Sequence, residues 1–112
     1  MTTRVAEGVY VSSTDADDYA PDPEVGGLTH TLRDDDHLQA GIWKAPDDAA
    51  DGATPFEFPH DETILVLDGE VEIEIEDGPT LHLRAGSMAS FSKGVRSTWC
   101  PSAGFREFWV YS

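Results

Sequence analysis

The chain has 112 residues, which suits a single domain and is enough to bury a hydrophobic core without cross-links. Its 22 acidic and 7 basic side chains give a net charge of −15. A surface of this charge repels nucleic-acid phosphates and anionic lipid headgroups, so neither nucleic acid nor membrane is an expected partner.

The single cysteine, Cys100, excludes an intrachain disulfide. There is no apolar run long enough to span a membrane and no secretory leader pattern, so cytoplasmic residence is expected. Cys100 lies between Trp99 and Pro101, where it is expected to be a small buried residue and not a nucleophile. Phosphate-binding glycine loops, Ser-His-Asp arrangements and zinc-type cysteine pairs are not found, which disfavours those enzyme classes.

Residues 1–27 are acidic and rich in small residues, and they predict an irregular N-terminal arm, loosely ordered or packed on the rest of the chain. Within the arm, residues 9–11 (Val-Tyr-Val) predict a short strand or an anchor. Pro21, Pro23 and the Gly26-Gly27 pair interrupt regular structure. Long helical periodicity is not seen anywhere, which disfavours helical bundles and βαβ folds.

From Leu28 onward the pattern is one of short strands separated by turns. Strands are predicted over 28–33, 38–45, 56–60, 62–67, 70–76, 81–83, 88–91, 95–100 and 105–111. Asp34–Asp36 predicts a turn, residues 46–55 a loop, and Asp68-Gly69 and Asp77-Gly78 two hairpin turns. This pattern indicates an all-β fold, a small antiparallel β-barrel or jelly roll over residues 28–112.

The strand predicted at 62–67 differs from its neighbours because both of its faces are apolar. Glu62, Ile64 and Val66 share one face, which is predicted to fill the barrel. The opposite face carries Leu65 and Leu67 and needs cover from the arm or from a second subunit. A homodimer is the favoured alternative, because a symmetric pair is the commonest way to cover such a face.

Two motifs carry a resemblance to a known family. Residues 62–69 read E-x6-G, and residues 86–99 read G-x5-S-x-G-x2-S-x-W. Together they resemble the two motifs of the cupin superfamily. The stretch from the Gly41-Ile-Trp43 strand to Tyr111 resembles the small single-domain group of ureidoglycine aminohydrolase-type cupins. The resemblance implies a cupin barrel over about the last two thirds of the chain, with residues 1–27 outside it.

The metal ligands that the resemblance would imply are missing. Metal-binding cupins carry H-x-H-x3–4-E in the first motif and another histidine in the second. Here Glu62 takes the carboxylate position, and the histidine positions hold other residues: Pro55 and Glu57 or, with the shorter spacer, Phe56 and Phe58, together with Ser97 in the second motif. Ser92 also replaces the usual proline. A metal site of the usual kind is therefore degenerate.

Two alternatives remain open for the polar residues near Glu62. Glu57, His60 and Glu62 would supply three ligands for a divalent metal with open positions. Otherwise Glu57 and His60 lie in solvent, which is the favoured alternative, and Glu62 is a buried carboxylate. Arg96 or Arg106 would then pair with Glu62; without such a partner its pKa is raised and it is the candidate catalytic acid or base.

Three functions follow as hypotheses. The first is a small-molecule-binding cupin that holds an organic ligand in the barrel mouth, with Trp43, Phe58, His60, Glu62, Ser97 and Trp99 as the predicted ligand-binding residues. The second, implied by the resemblance, is a metal-dependent enzyme acting on a small polar metabolite with ureidoglycine aminohydrolase-like chemistry. The third is a non-catalytic dimeric interaction module.

Overall fold

The computed structural model describes residues 1–48 and 52–112, and its regular elements are all strands. The strands are β1 (Thr3–Ala6), β2 (Val9–Val11), β3 (Ala20–Pro21), β4 (Leu28–Asp34), β5 (Gln39–Lys44), β6 (Thr54–Glu57), β7 (Glu62–Asp68), β8 (Glu70–Ile75), β9 (Thr80–Arg84), β10 (Met88–Phe91), β11 (Arg96–Pro101) and β12 (Arg106–Tyr111). The predicted all-β architecture is confirmed. The loop predicted at 46–55 falls partly on residues 49–51, outside the described residues, and β6 begins within it.

Two antiparallel sheets make up most of the described chain. The larger has six strands in the order β10-β7-β12-β5-β4-β3, and the smaller has four in the order β6-β11-β8-β9. No ladder joins the two sheets among the described residues, so the barrel stays open between them. The hydrophobic core lies where they face each other, with Ile64 and Val66 from the large sheet and Ile73 from the small one.

Asp68-Gly69 is not the predicted hairpin turn. β7 and β8 belong to different sheets, so the chain crosses from one sheet to the other at this point. Gly69 has a φ of +72°, as expected for a position that favours glycine. Asp77-Gly78 does form the predicted hairpin, between β8 and β9. A turn dipeptide marks a reversal of the chain, and it does not show whether the two strands pair afterwards.

The N-terminal arm contains more regular structure than predicted. β1 and β2 form a two-stranded antiparallel sheet, and β3 pairs with β4 at the edge of the large sheet. The predicted strand at Val9–Val11 is confirmed as β2. The boundary between the arm and the barrel, predicted after residue 27, stays a prediction.

The outer face of β7 is only partly covered in the single chain. Leu65 and Leu67 are half-buried, whereas Glu62, Ile64 and Val66 are buried as predicted. The arm docks on β4, three strands away from β7 in the large sheet, where the Thr2 hydroxyl donates to the Thr31 carbonyl oxygen at 2.6 Å. Beside Leu65, its ladder partner Met88 is 77% exposed.

The prediction that Cys100 is buried is wrong, because this residue is exposed. Along β11 the buried residues are Ser97, Trp99 and Pro101. Successive side chains of a strand alternate between faces, so Cys100 takes the outer one. Within the described residues, no helix is long and apolar enough to cross a membrane.

Substitution of Gly69 tests the crossing between the sheets. A Cβ at this position would lie 2.8 Å from the Ser102 Oγ and 3.0 Å from the Phe105 Cα. Gly69→Ala is expected to lower the free energy of unfolding by about 2–4 kcal/mol, combining left-handed backbone strain with overpacking. Urea denaturation measures this quantity.

Gly86→Ala is the matched control, because Gly86 has a φ of +92° but nothing within 4 Å of the added Cβ. It carries the backbone cost alone and is expected to lose about half as much free energy of unfolding, about 1–2 kcal/mol. Equal losses in the two variants would show that the contacts with Ser102 and Phe105 do not constrain the crossing.

Candidate functional site

A cleft of about 650 Å³ opens between the two sheets. The large sheet contributes Trp43, Glu62 and Trp109 to its lining, and the small sheet contributes Phe56 and Trp99. Residues 20–25 of the N-terminal arm lie at the same cleft. The volume falls within the range of small-molecule sites in proteins.

Alternation along β12 places three polar or aromatic side chains in this cleft. Glu107, Trp109 and Tyr111 are two residues apart, so they share one face of the strand. In the ladders, Glu107 lies opposite Trp43 of β5, and Tyr111 lies opposite Glu62 of β7. The antiparallel register therefore gathers two carboxyl groups and two indole rings on the inner face of the large sheet.

A glycine on β5 makes room for Trp109. Gly41 is the ladder partner of Trp109, and a Cβ at Gly41 would lie 3.1 Å from the Cζ2 atom of that ring. The same Cβ would lie 2.4 Å from the carbonyl oxygen of His30 on β4. Glycine is therefore required at position 41 on steric grounds, because any larger residue would displace the ring and the neighbouring strand.

Glu62 is buried without a charged partner among residues 1–48 and 52–112. Its side chain is 5% exposed, and its Oε1 atom has no hydrogen-bond partner. Burial raises the pKa of the Glu62 carboxyl to about 8, and interaction with the Tyr111 hydroxyl offsets only part of the rise. At neutral pH this group is therefore mostly a neutral acid.

Glu107 is a second buried carboxyl in the same cleft. It is 4% exposed, and its Oε1 atom also lacks a hydrogen-bond partner. Burial, together with the charge of Glu62, raises the pKa of Glu107 well above its ordinary value. Burial and the nearby carboxyl groups of Glu62 and Glu107 also raise the pKa of Tyr111. Glu62, Glu107 and Tyr111 therefore form a cluster of side chains that influence one another electrostatically.

Comparison with known proteins identifies the family. The model of the EutQ-like cupin domain matches residues 32–108, more than half of the chain. The chain belongs to the EutQ-like cupin family. A comparison with curated proteins gives no match. The predicted cupin membership is confirmed, whereas the finer resemblance to ureidoglycine aminohydrolase-type cupins is not, since the EutQ-like model matches instead.

Solved structures show the same fold. An ethanolamine utilization protein Q (EutQ) of Salmonella typhimurium is 19% identical with a TM-score of 0.80, covering 99% of this chain and 91% of that one. The Clostridium difficile EutQ protein is 16% identical with a TM-score of 0.79, covering 99% and 92%. Fe(II)-HppE with an alternative substrate is 16% identical with a TM-score of 0.72, covering 97% and 63%. These likenesses confirm the cupin-like jelly roll.

Three of the predicted ligand-binding residues of this cupin, Trp43, Glu62 and Trp99, line the cleft. The other three do not line it. Phe58 is in the core, where its ring stacks on Phe91 with 4.4 Å between the centroids, and His60 is exposed. Ser97 is buried and forms hydrogen bonds within the protein.

The Ser97 hydroxyl is engaged with the protein itself. It donates to the Phe56 carbonyl oxygen at 2.8 Å and accepts from the Trp99 Nε1 at 2.9 Å. The histidine of the second motif in metal-binding cupins is thus replaced by a hydroxyl that joins β6 to β11. This side chain fixes the Trp99 ring, and it has little capacity left for a ligand.

The structure does not bring the predicted metal ligands together. Among residues 1–48 and 52–112, no group of three His, Cys, Asp or Glu side chains is arranged to hold a metal ion. Glu57 is exposed and pairs with Arg96, whose Nε lies 2.9 Å from its Oε1. His60 packs against the Tyr111 ring, with 5.1 Å between the centroids. The donor set therefore does not fit the metal site of metal-binding cupins.

Of the two alternatives left open for Glu62, pairing with Arg96 or Arg106 is not the one that the structure shows. Arg96 pairs with Glu57, and Arg106 lies 2.6 Å from Asp68 through its Nε. An unpaired Glu62 was expected to have a raised pKa, and burial does raise the pKa of this carboxyl group. Sequence reasoning missed Glu107, Trp109 and Tyr111, although the apolar and aromatic residues on both faces of β12 were a signal that both faces are covered.

Ser12 and Asp18 of the arm form a Ser-His-Asp arrangement with His30 of β4, a kind of arrangement that the sequence did not predict. The Ser12 Oγ lies 2.7 Å from the His30 Nε2, and the Asp18 Oδ1 lies 3.1 Å from the Nδ1 of the same ring. The His30 side chain is 2% exposed, so it offers little room for a substrate. Its observed role is to attach the arm to β4, and none of the three residues lines the cleft.

The raised pKa of Glu62 predicts a pH-dependent stability. The unfolded carboxyl loses its proton near pH 4.5, whereas the folded carboxyl keeps it up to about pH 8. The stabilisation from the neutral acid is complete below pH 4.5 and is lost as the pH rises to 8, by up to about 1.4 kcal/mol per pH unit. Glu62→Gln is expected to flatten this slope, as measured by urea denaturation between pH 5 and 9.

Glu74→Gln is the control, since Glu74 is exposed on β8. It is expected to leave the slope unchanged. If Glu62→Gln unfolds with the same pH dependence as the wild type, the carboxyl is ionised in the folded protein and its predicted neutrality is wrong.

Proposed function

We propose that this cupin binds a small organic ligand in the cleft between its two sheets, without a metal ion held by the usual cupin ligands. The observation that carries the proposal is the combination of a cleft of about 650 Å³ with indole walls and two buried, incompletely hydrogen-bonded carboxyl groups. Apolar walls with a few convergent polar groups are typical of small-molecule sites.

The second hypothesis, a metal-dependent enzyme with ureidoglycine aminohydrolase-like chemistry, has less support. Its proposed ligands Glu57, His60 and Glu62 do not converge, since Glu57 and His60 are exposed and Glu62 is buried. Glu62 remains the candidate acid or base of any reaction in the cleft, because a carboxyl with a pKa near 8 exchanges protons close to neutral pH.

A cleft-filling variant tests ligand binding. Thr31 lines the cleft from β4, and its side chain is exposed. Thr31→Trp is expected to occupy the cleft and abolish the rise in melting temperature that a binding compound produces in the wild type. The measurement is differential scanning fluorimetry with cationic, neutral and anionic metabolite-sized compounds, each with and without EDTA. A compound present at about 100 times its Kd stabilises the protein by about 2.7 kcal/mol.

Thr80→Trp is the control, because Thr80 is exposed on β9 and does not line the cleft. It should retain the ligand response. Equal responses in the wild type and Thr31→Trp would place binding outside the cleft. A response that EDTA removes would favour the metal-dependent alternative.

We also propose that two copies pair through the outer face of β7 and β10. Met88 and its ladder partner Leu65 present an apolar surface there that the arm leaves open. In light scattering after size exclusion, the wild type is expected at twice the 12.2 kDa of the chain and Met88→Glu at the chain mass. His82→Glu, an exposed position on the small sheet, should behave as the wild type. A monomeric wild type at high concentration would contradict the pairing.

A further inference from the structure

We infer that the ligand of this cleft is an organic cation, with its ammonium group held by Glu62 and Glu107 and surrounded by the indole rings. The inference rests on the proposed function and specifies its ligand class. Three independent features of the cleft support it, namely its charge, its unpaired carboxyl groups and its aromatic walls.

The first feature is the negative charge of the residues that line the cleft. Its described lining contains six carboxyl groups, those of Asp22, Glu24, Asp34, Asp48, Glu62 and Glu107, and no lysine, arginine or histidine. A concave surface lined by one sign of charge attracts ligands of the opposite sign. The ionised carboxylates of this lining would repel an anionic ligand.

The second feature is that the two innermost carboxyl groups have no cation within the described chain. The arginines that sequence reasoning offered to Glu62 pair with other acids, Arg96 with Glu57 and Arg106 with Asp68. Glu62 and Glu107 each retain a buried oxygen without a hydrogen-bond partner. A buried oxygen that is left unpaired destabilises the folded protein. A ligand with N–H donors or a positive charge would remove that destabilisation.

The third feature is the set of indole rings. All 3 tryptophans of the chain, Trp43, Trp99 and Trp109, line the cleft. The N–H groups of two of them are already engaged, with Trp43 donating to the Gly26 carbonyl oxygen and Trp99 donating to the Ser97 hydroxyl. These two rings therefore offer π surface in place of hydrogen-bond donors, and the faces of tryptophan rings attract ammonium groups.

The protonation state of the acids links binding to pH. Across the β7–β12 ladder, Glu62 faces the Tyr111 hydroxyl and Glu107. Its ladder partner on β10 is the uncharged Phe91. Asp22 and Glu24 lie at the same cleft. All the titratable groups in this set are acids. A cation that binds against Glu62 favours its ionised form and releases its proton, so affinity should rise as the pH rises from 6 to 9.

Choline and 3,3-dimethyl-1-butanol provide a matched pair of probes, because the neutral alcohol has the shape of choline without its charge. Isothermal titration calorimetry is expected to show choline binding at least tenfold more tightly than the alcohol, and more tightly at pH 9 than at pH 6. Glu62→Gln and Glu107→Gln are each expected to weaken choline binding at least tenfold. Thermal unfolding of each variant verifies that it is folded, and Glu74→Gln, at an exposed position outside the cleft, should bind as the wild type does.

Each outcome distinguishes the inference from the function on which it rests. Equal binding of choline and the alcohol, or binding of the alcohol alone, overturns the cationic ligand and leaves a small-molecule-binding cleft. Choline binding that survives both glutamine substitutions in folded protein also overturns the inference, because the carboxyl groups are then not its partners. If neither probe binds while the fluorimetry identifies neutral or anionic ligands, the ligand class is wrong; if no compound binds at all, the proposed function falls with it.

Discussion

Removal of the Glu62 carboxyl from water is the interaction on which the cleft depends. Alternation along β7 places Glu62 on the same inward face as Ile64 and Val66, so a shift of register by one residue would be needed to turn it to the outer face. The register with β12 then adds Tyr111 directly opposite and Glu107 farther along the same ladder. Burial raises the pKa of both carboxyl groups, and the charge of Glu62 raises that of Glu107 further. The electrostatic character of the site thus follows from sheet register.

The positions that hold metal in other cupins have a structural role in this chain. With the shorter motif spacer, two of the histidine positions are Phe56 and Phe58, whose rings pack edge to face with 5.0 Å between centroids. The third is Ser97, which joins β6 to Trp99 through its hydroxyl. Aromatic packing and one internal hydrogen-bonded bridge therefore replace the imidazole cluster. The carboxyl group of the motif is retained in Glu62, and its burial gives it a raised pKa.

Local patterns in the sequence were sufficient to locate the strands but not to predict how the strands pair. Turn residues and alternation located most of β4 to β12, because both signals act over a few residues. Whether Asp68-Gly69 joins paired strands, and which face of β11 carries Cys100, depends on long-range pairing. The same limit explains the missed residues: Glu107 becomes a neighbour of the Glu62 carboxyl only through the β7–β12 ladder, and Ser12 meets His30 only after the arm has docked.

The arm contributes to the candidate site from outside the matched family domain. The family match begins at residue 32, whereas Asp22 and Glu24 of the cleft lining lie before it. These residues are held in place because β3 pairs with β4 and because His30 binds Ser12 and Asp18 of the arm. The matched domain supplies Glu62, Glu107, Trp43 and Trp99, whereas Trp109 lies one residue beyond its end. The arm adds charge at the cleft. The proposed ligand site therefore depends on how the arm docks as well as on the two facing sheets.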